Sequence, residues 1–462
     1  MFHAMLPECV LAIGLLLTMV VDLLTPAPHR RRVLSFALLV CACALGAVGY
    51  AGHGPLGLVA LDSLTTFVRI TVLVGTALAL GAVSGSTALM ARRDLGEYAV
   101  VLLGLALGAM VLGAATNLLL IFLALELVSL SSYVLAGYAA GDRRAAEAGM
   151  KYVLFGGLAT GLMLFGMSHL YGLTGSLELS AITFKLAGTL GGDPVFLGAL
   201  VLSSAGLVYK LALAPFHYYA PEVYQGSPTI SAGVFATLPK IAAFAVLARV
   251  VDGAGGHHAL SVALTGVAVL TMLTGSLGAL AQRDGKRILA FSAIAHAGAM
   301  LLALAAWDQP AARGALLHYL AAYVTLNLGA FAALALLEGP TGTGLAQLAG
   351  AWRRRPLIAA ALALCAVALI GLPPFAGFWA KWFLLLAVLG TGSGYLAVGA
   401  AVVLLSSVLS ALAYLRLVRA VIIDEDATQV PTPARDDGPA ALVVLMCALA
   451  ALGWMAVLPL LG

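Results

Sequence analysis

The stretch Leu207–Lys240, LVYKLALAPFHYYAPEVYQGSPTISAGVFATLPK, decides how the rest of the chain is read. It lies inside a very apolar sequence yet carries two lysines, a histidine, a glutamate, four tyrosines and four prolines. Lys210 follows the apolar run Val195–Val208, so it falls at membrane depth if that run spans a bilayer. Pro215 removes an amide donor and turns Ala214 away from helical geometry. Pro221 and Pro228 keep a long helix from resuming before Thr229. A helix interrupted within a bilayer leaves polar backbone groups, which survive only against protein or a water-filled cavity. A lysine beside such a break marks an ion or proton path.

The surrounding composition supplies the bilayer. The 462 residues are 62% hydrophobic and 10% charged, with a mean hydropathy of +1.06, whereas a soluble domain carries about 25% charged residues. The expected fold is all-α, a polytopic membrane protein. With about 20 apolar residues per span, about fourteen transmembrane helices emerge, near 6–24, 33–50, 61–83, 98–115, 117–139, 150–172, 195–224, 229–251, 258–281, 286–306, 312–337, 356–389, 395–423 and 439–460. The seventh and twelfth are broken. Sixteen basic residues (Arg30–Arg32, Arg92, Arg93, Arg143, Arg144, Arg283, Lys286, Arg287, Arg353–Arg355, Arg416, Arg419 and Arg435) fall in or beside alternate connections, against Lys185, Arg249 and Arg313 on the other set. The positive-inside rule then places both termini outside, and the net charge of +4 reflects orientation rather than a nucleic-acid surface. Met1–Leu24 reads as the first span and not as a cleaved signal, since it lacks a basic start and a small-residue cleavage site. The five cysteines form no C-x-x-C pair, and neither G-x-x-x-x-G-K-[ST] nor a strand followed by G-x-G-x-x-G occurs. No nucleotide, metal or redox-centre site is expected in this chain.

Ionisable residues at membrane depth are few. Glu126 lies in the middle of the fifth span, with Ser129 at i+3 and Tyr133 at i+7 on its face; stranding a carboxylate there costs about 2–3 kcal/mol. A neutral, hydrogen-bonded glutamic acid tying helices together is the alternative. Ser203, Gly206 and Lys210 share a face that His217 would continue across the break, and Lys240 follows Pro239 on a face with Thr237 and Phe244. His296 sits in the tenth span one turn after Ser292. Tyr319, Tyr323 and Asn327 form a polar stripe in the eleventh, with His318 beside it. In the twelfth, GLPPFAGFWAKW places Pro373 and Pro374 before Lys381. Paired broken helices point to inverted-repeat transporters. The chain holds 18 arginines but six lysines. Basic connections use arginine almost alone, while three lysines lie at membrane depth. A guanidinium cannot release its proton in a protein and an ammonium can, so the choice points to proton chemistry. Elsewhere, Asp22 and Asp62 are expected to face water near span ends, and Arg69 to snorkel from its span. GDRRAAEAGMKY reads as a basic turn whose Glu147 and Lys151 make a helix-surface pair.

With these motifs placed, the chain resembles the subunit N family of proton-pumping NADH–quinone oxidoreductase, respiratory complex I. The blocks that carry the likeness are LALELVSLSSYVL, EAGMKYVLFGG, YGLTG, KLALAPFHYYAPEVYQGSPT, QRDGKRILAFSAIAHAG, NLGAF and GLPPFAGFWAKW, in order from end to end. The resemblance implies fourteen helices with two inverted five-helix repeats, at residues 98–251 and 252–423. Residues 1–97 form an N-terminal three-helix segment, and 424–462 a polar loop and last helix. It implies Glu126 as the glutamate paired with Lys210, Lys240 as the link between two half-channels, Lys381 as the terminal lysine, and His296 as a possible relay. It further implies proton translocation coupled to quinone reduction elsewhere. NADH, flavin, iron–sulfur clusters and quinone would be held by partner subunits, with no cofactor in this chain. Partners would be other membrane subunits, sister antiporter-like ones included, within a bacterial-type inner membrane. Tyr219, Glu222 and Phe291 depart from the tryptophan, aspartate and tyrosine usual there. A cation/proton antiporter subunit and a non-pumping scaffold are the alternatives.

Overall fold

The computed structural model describes residues 3–26, 31–90, 95–139, 141–189, 193–255, 258–339, 342–425 and 438–457. Hydrocarbon offers no partner for a free backbone amide, so the apolar runs close their hydrogen bonds within helices. The first group is α1 (Leu6–Leu24), α2 (Arg31–Val48) and α3 (Ser63–Ala82), with a small antiparallel hairpin of β1 (Gly54–Leu56) and β2 (Val59–Leu61) before α3. After the single turn α4 (Thr87–Met90) come α5 (Leu95–Ala114), α6 (Leu118–Ala136), α7 (Arg143–Thr174), α8 (Leu179–Thr189) and α9 (Pro194–Leu211). The chain continues through α10 (Tyr219–Gly226), α11 (Thr229–Gly253), α12 (His258–Leu280), α13 (Gly285–Ala305) and α14 (Pro310–Leu337). Two single turns, α15 (Leu345–Leu348) and α16 (Ala351–Arg354), lead to α17 (Pro356–Ile370), α18 (Ala376–Leu389), α19 (Gly394–Ile422) and α20 (Gly438–Val457).

Among the described residues, twelve helices are long and apolar enough to cross a bilayer. Counting α17 with α18 as one broken crossing and α20 as another brings the total to the fourteen expected. The expected breaks fall between α9 and α10 and between α17 and α18, with cis peptides at Ala214–Pro215 and Pro373–Pro374. Polar residues in the connections start the helices. Asp62, Asn117, Asp142, Asp193 and Asp284 each accept a backbone N–H at the first turn of α3, α6, α7, α9 and α13, a cap worth about 1 kcal/mol. Asp142 corrects one expectation: GDRRAAEAGMKY is not a turn, because the capped helix α7 already begins at Arg143. The short helix α8 was not anticipated either, since the 172–195 connection shows no long apolar period.

Helices α11, α13 and α14 are buried along nearly their whole lengths and form the centre of the bundle. Helix α12 approaches α13 backbone to backbone. A Cβ on Gly298 would stand 2.8 Å from the Ala268 carbonyl oxygen, so only glycine permits that contact. At the periphery, α6 turns Leu119, Leu123, Leu127, Leu130 and Val134 outward at three- and four-residue steps, an apolar stripe suited to lipid or another membrane chain.

The N-terminal helices overturn a second expectation. Arg69 does not snorkel. It is 1% exposed and donates from Nε and Nη2 to the two carboxylate oxygens of Glu8 at 2.7 and 2.9 Å. The first crossings are therefore pinned together by a buried bidentate ion pair. Asp62 keeps to its span end and accepts from Arg249 of α11 at 2.6 Å. Asp22 does not face water through both oxygens: Oδ1 is buried against Gly96 and has no hydrogen-bond partner among the described residues.

Candidate functional site

The first cluster forms where α9 stops. Ala212 takes a left-handed conformation (φ 56°) and closes the helix one residue after Leu211. Lys210 therefore lies in the last turn, where exposed carbonyls favour a cation. Lys210 is 1% exposed, and its Nζ donates to Ser132 Oγ at 3.3 Å and Tyr152 Oη at 3.4 Å. The rings of Tyr152 and Tyr133 stand 5.1 and 5.6 Å from the ammonium, within cation–π range. Glu126 is held by Thr160 of α7, whose hydroxyl donates to Oε1 at 2.8 Å. It makes no ion pair with Lys210. Tyr152, Ser132 and Thr160 were missed by the sequence reading; Thr160 was findable as a lone hydroxyl in an apolar helix one turn or more from any end.

An aromatic layer separates this cluster from α11. Tyr219 stacks on Tyr152 at 5.3 Å and lies 4.2 Å from the Tyr209 ring, and Phe235 of α11 tilts onto Tyr152 at 5.5 Å. Tyr219 Oη also donates to the Tyr209 carbonyl at 3.0 Å. The tyrosine that stands in place of the usual tryptophan thus fills its site and satisfies the frayed end of α9. Glu222, another departure, accepts from Lys151 at 2.6 Å, and Lys151 also meets Glu147 at 2.8 Å. The Lys151–Glu222 pair ties α10 to α7.

The second cluster surrounds α11, α13 and α14. Lys240, also 1% exposed, donates to the Ala293 carbonyl at 2.6 Å. His296 lies three residues further along α13, and its Nδ1 is hydrogen-bonded to Tyr319 Oη at 2.9 Å. The stripe on α14 is hydrogen-bonded in two parts, Tyr319 to His296 and Asn327 with Tyr323 to α11. Asn327 Nδ2 donates to Tyr323 Oη at 2.7 Å, and that hydroxyl donates to the Ala236 carbonyl at 3.0 Å, in the turn that Pro239 disrupts. Ser292 and Tyr414 share a hydrogen bond of 2.5 Å, which reaches α19. His318 belongs elsewhere, edge-on to Phe383 at 5.1 Å.

The third cluster is the break after α17. Lys381 of α18 reaches back and donates to the Ile370 carbonyl at 2.7 Å and to Ser407 Oγ at 3.0 Å, with Leu369 O at 3.4 Å. Gly371 has φ 91°, and a Cβ there would stand 2.9 Å from Lys381 Cδ. The glycine both turns the chain and leaves the lysine its path.

The five expected groups are thus gathered into two sets. Glu126 lies on α6, which also supplies Ser132 to Lys210, and Lys240 and His296 meet at neighbouring turns of α13, with Lys381 at the second break. Among the described residues, none of the three lysines is ion-paired to a carboxylate. Lys210 is met by hydroxyls, Lys240 by a carbonyl and Lys381 by both, so moving a proton strands no bonded carboxylate. No group of three or more metal-ligating side chains occurs among the described residues.

Such a molecule is a polytopic helical membrane protein whose broken helices carry an internal series of titratable amines. The family described as NADH:quinone oxidoreductase/Mrp antiporter, TM, matches residues 115–424, and the chain belongs to that family. NADH-quinone oxidoreductase subunit N 2 of Sorangium cellulosum (strain So ce56) is 38% identical over 93% of this chain and 90% of its own. A chain of respiratory complex I from Thermus thermophilus is 33% identical, with a TM-score of 0.79 over 98% of each chain. A chain of the Mrp complex from Dietzia sp. DQ12-45-1b superposes with a TM-score of 0.83 over 100% of this chain and 96% of that one. At 21% identity, that last likeness is one of fold alone.

Proposed function

We propose that this chain is the subunit N-type membrane subunit of a proton-pumping NADH–quinone oxidoreductase, moving protons through two half-channels. The observation that carries the reading is the environment of Lys210, Lys240 and Lys381: three amines inside a helical bundle, each met by neutral oxygens. Glu126 modulates Lys210 across the Ser132–Tyr133 face of α6. Transfer onward to Lys240 passes the Tyr152–Tyr219–Phe235 layer and so requires water to enter it. From Lys240 the proton passes to His296, whose imidazole Tyr319 holds, and then to Lys381. Residues 98–251 and 252–423 serve as the two inverted repeats, with 1–97 and 424–462 flanking them. Both termini lie on the outer side of the membrane. Quinone reduction in partner subunits, which hold NADH, flavin and iron–sulfur clusters, supplies the energy.

The test is purification of the tagged chain with a membrane assembly that reduces quinone, followed by proton pumping in vesicles. Lys210→Ala and Lys240→Ala are expected to assemble and to lose pumping. Intact pumping in either variant, or sodium-dependent flux independent of quinone, would overturn the reading.

A further inference from the structure

The sequence places Lys286 among the loop cations that set topology. The structure buries it. Its side chain is 8% exposed and forms an ion pair of 3.3 Å with Glu338, itself 13% exposed. Thr229 Oγ1 donates to the other Glu338 oxygen at 2.7 Å, and Lys286 also donates to the Ser227 carbonyl at 3.2 Å. The cluster therefore joins the start of α11, the first turn of α13 and the end of α14. Neither charge serves its helix. Lys286 stands at the positive, N-terminal end of α13 and Glu338 at the negative, C-terminal end of α14, both the wrong way round for the helix dipoles.

Position gives the pair a use. Asn327, Phe331, Leu334 and Glu338 follow one another at steps of four, three and four residues, so they lie on one face of α14. Tyr323 and Asn327 belong to the polar network beside Lys240. About 16 Å of helix separates Asn327 from Glu338, and Phe331 and Leu334 fill that interval. Phe331 packs over Gly233 and Leu334 over Gly285, each so closely that a glycine Cβ would come within 3.0 Å. Tyr224 meets Phe331 edge-on at 6.5 Å. A largely buried ionisable pair and a buried polar network thus share one helix face, divided by an apolar section two side chains long.

We propose that Glu338, with Lys286 and Thr229, is a proton-uptake site at the arginine-rich end of the route to Lys240, and that Phe331 and Leu334 are the section that must hydrate for a proton to pass. The step is a transfer and nothing more: a proton from bulk water adds to the Glu338 carboxylate, Lys286 is released from its ion pair, and the proton leaves along transient water to the Asn327–Tyr323 network. This deepens the translocation reading and rests on it.

The test uses the assembled complex in vesicles, with quinone reduction and proton transport followed together. Removing one charge strands the other in the interior, so Glu338→Gln is paired with the double variant Lys286→Met/Glu338→Gln, which strands neither. The double variant is expected to assemble in normal amount yet transport protons about a hundredfold more slowly. Glu338→Asp, which keeps a carboxylate, is expected to retain most of the transport. A double variant that pumps at the parental rate overturns the proposal. Lys240→Ala run beside it separates the two readings: if that variant is inactive and the double variant is normal, only the uptake site is wrong, and if both are normal, the translocation reading falls as well.

Discussion

Lys381 donates to the carbonyl oxygen of Ile370 at 2.7 Å, so the lysine after the second break sits at the C-terminal end of the half-helix before it. Lys210 lies in the last turn of α9 itself. In sequence the two motifs look reversed, with the lysine before Pro215 and after Pro374. In space only Lys381 meets the free carbonyl end of an interrupted helix, where the dipole favours positive charge; the Lys210 ammonium leaves the end of its own helix for the hydroxyls of Ser132 and Tyr152.

That arrangement makes Gly371 as important as the lysine it accommodates. Gly371→Ala puts a side chain at φ 91° and 2.9 Å from Lys381 Cδ. The backbone cost is about 1–2 kcal/mol, small enough for the bundle to tolerate, while the lysine is displaced from Ile370 and Ser407. Assembly is expected to survive and pumping to fall as in Lys381→Met. Vesicle acidification measured against quinone reduction checks this.

Tyr319 fixes the imidazole of His296 through one buried hydrogen bond. Tyr319→Phe removes that bond and little else. Pumping is expected to slow by about tenfold, the equivalent of about 1.4 kcal/mol, with quinone reduction falling in step if the two are coupled. Normal rates for Tyr319→Phe alongside an inactive Lys240→Ala would remove His296 from the route.

Glu8 and Arg69 test the opposite case, a buried pair whose role is structural. Arg69→Met or Glu8→Gln alone leaves a buried charge without its partner and is expected to cost about 3–5 kcal/mol. The double variant Glu8→Gln/Arg69→Met is expected to recover most of that loss. Thermal unfolding in detergent reads the stability, and pumping by the assembled double variant should match the parent.

Asp62 gives its end of the bundle an acid sensitivity. Partial burial pushes its carboxyl up, but the Arg249 hydrogen bond and charge and the Thr65 N–H outweigh burial and hold it below the usual carboxylate range. A carboxylate with a lowered folded-state value contributes stability above its unfolded value of about 4, and loses that contribution as pH falls through the folded value. The melting temperature of the parent is expected to drop on acidification below about pH 4. Asp62→Asn should lie lower at neutral pH and show less of that drop.

Sequence reading reached the amines and the breaks because both announce themselves one-dimensionally. A lysine in an apolar run and a proline pair in a helix need no partner to be recognised. Glu8 escaped because it opens the first span, and Lys286 was read with the neighbouring Arg283 and Arg287, whose company makes a loop. Their burial follows from what α3 and α14 bring against them, which no local pattern encodes.

The order of apolar runs, the spacing of basic connections and the position of prolines determine by themselves a helical membrane bundle with two interrupted crossings and three interior lysines, since each property depends on the chain's own solvation and backbone geometry. Which oxygen each ammonium meets was decided only by the tertiary structure. Ser132 lies 78 residues from Lys210, Ala293 lies 53 from Lys240 and Ser407 lies 26 from Lys381, and such contacts depend on how helices rotate and cross when small residues let them close.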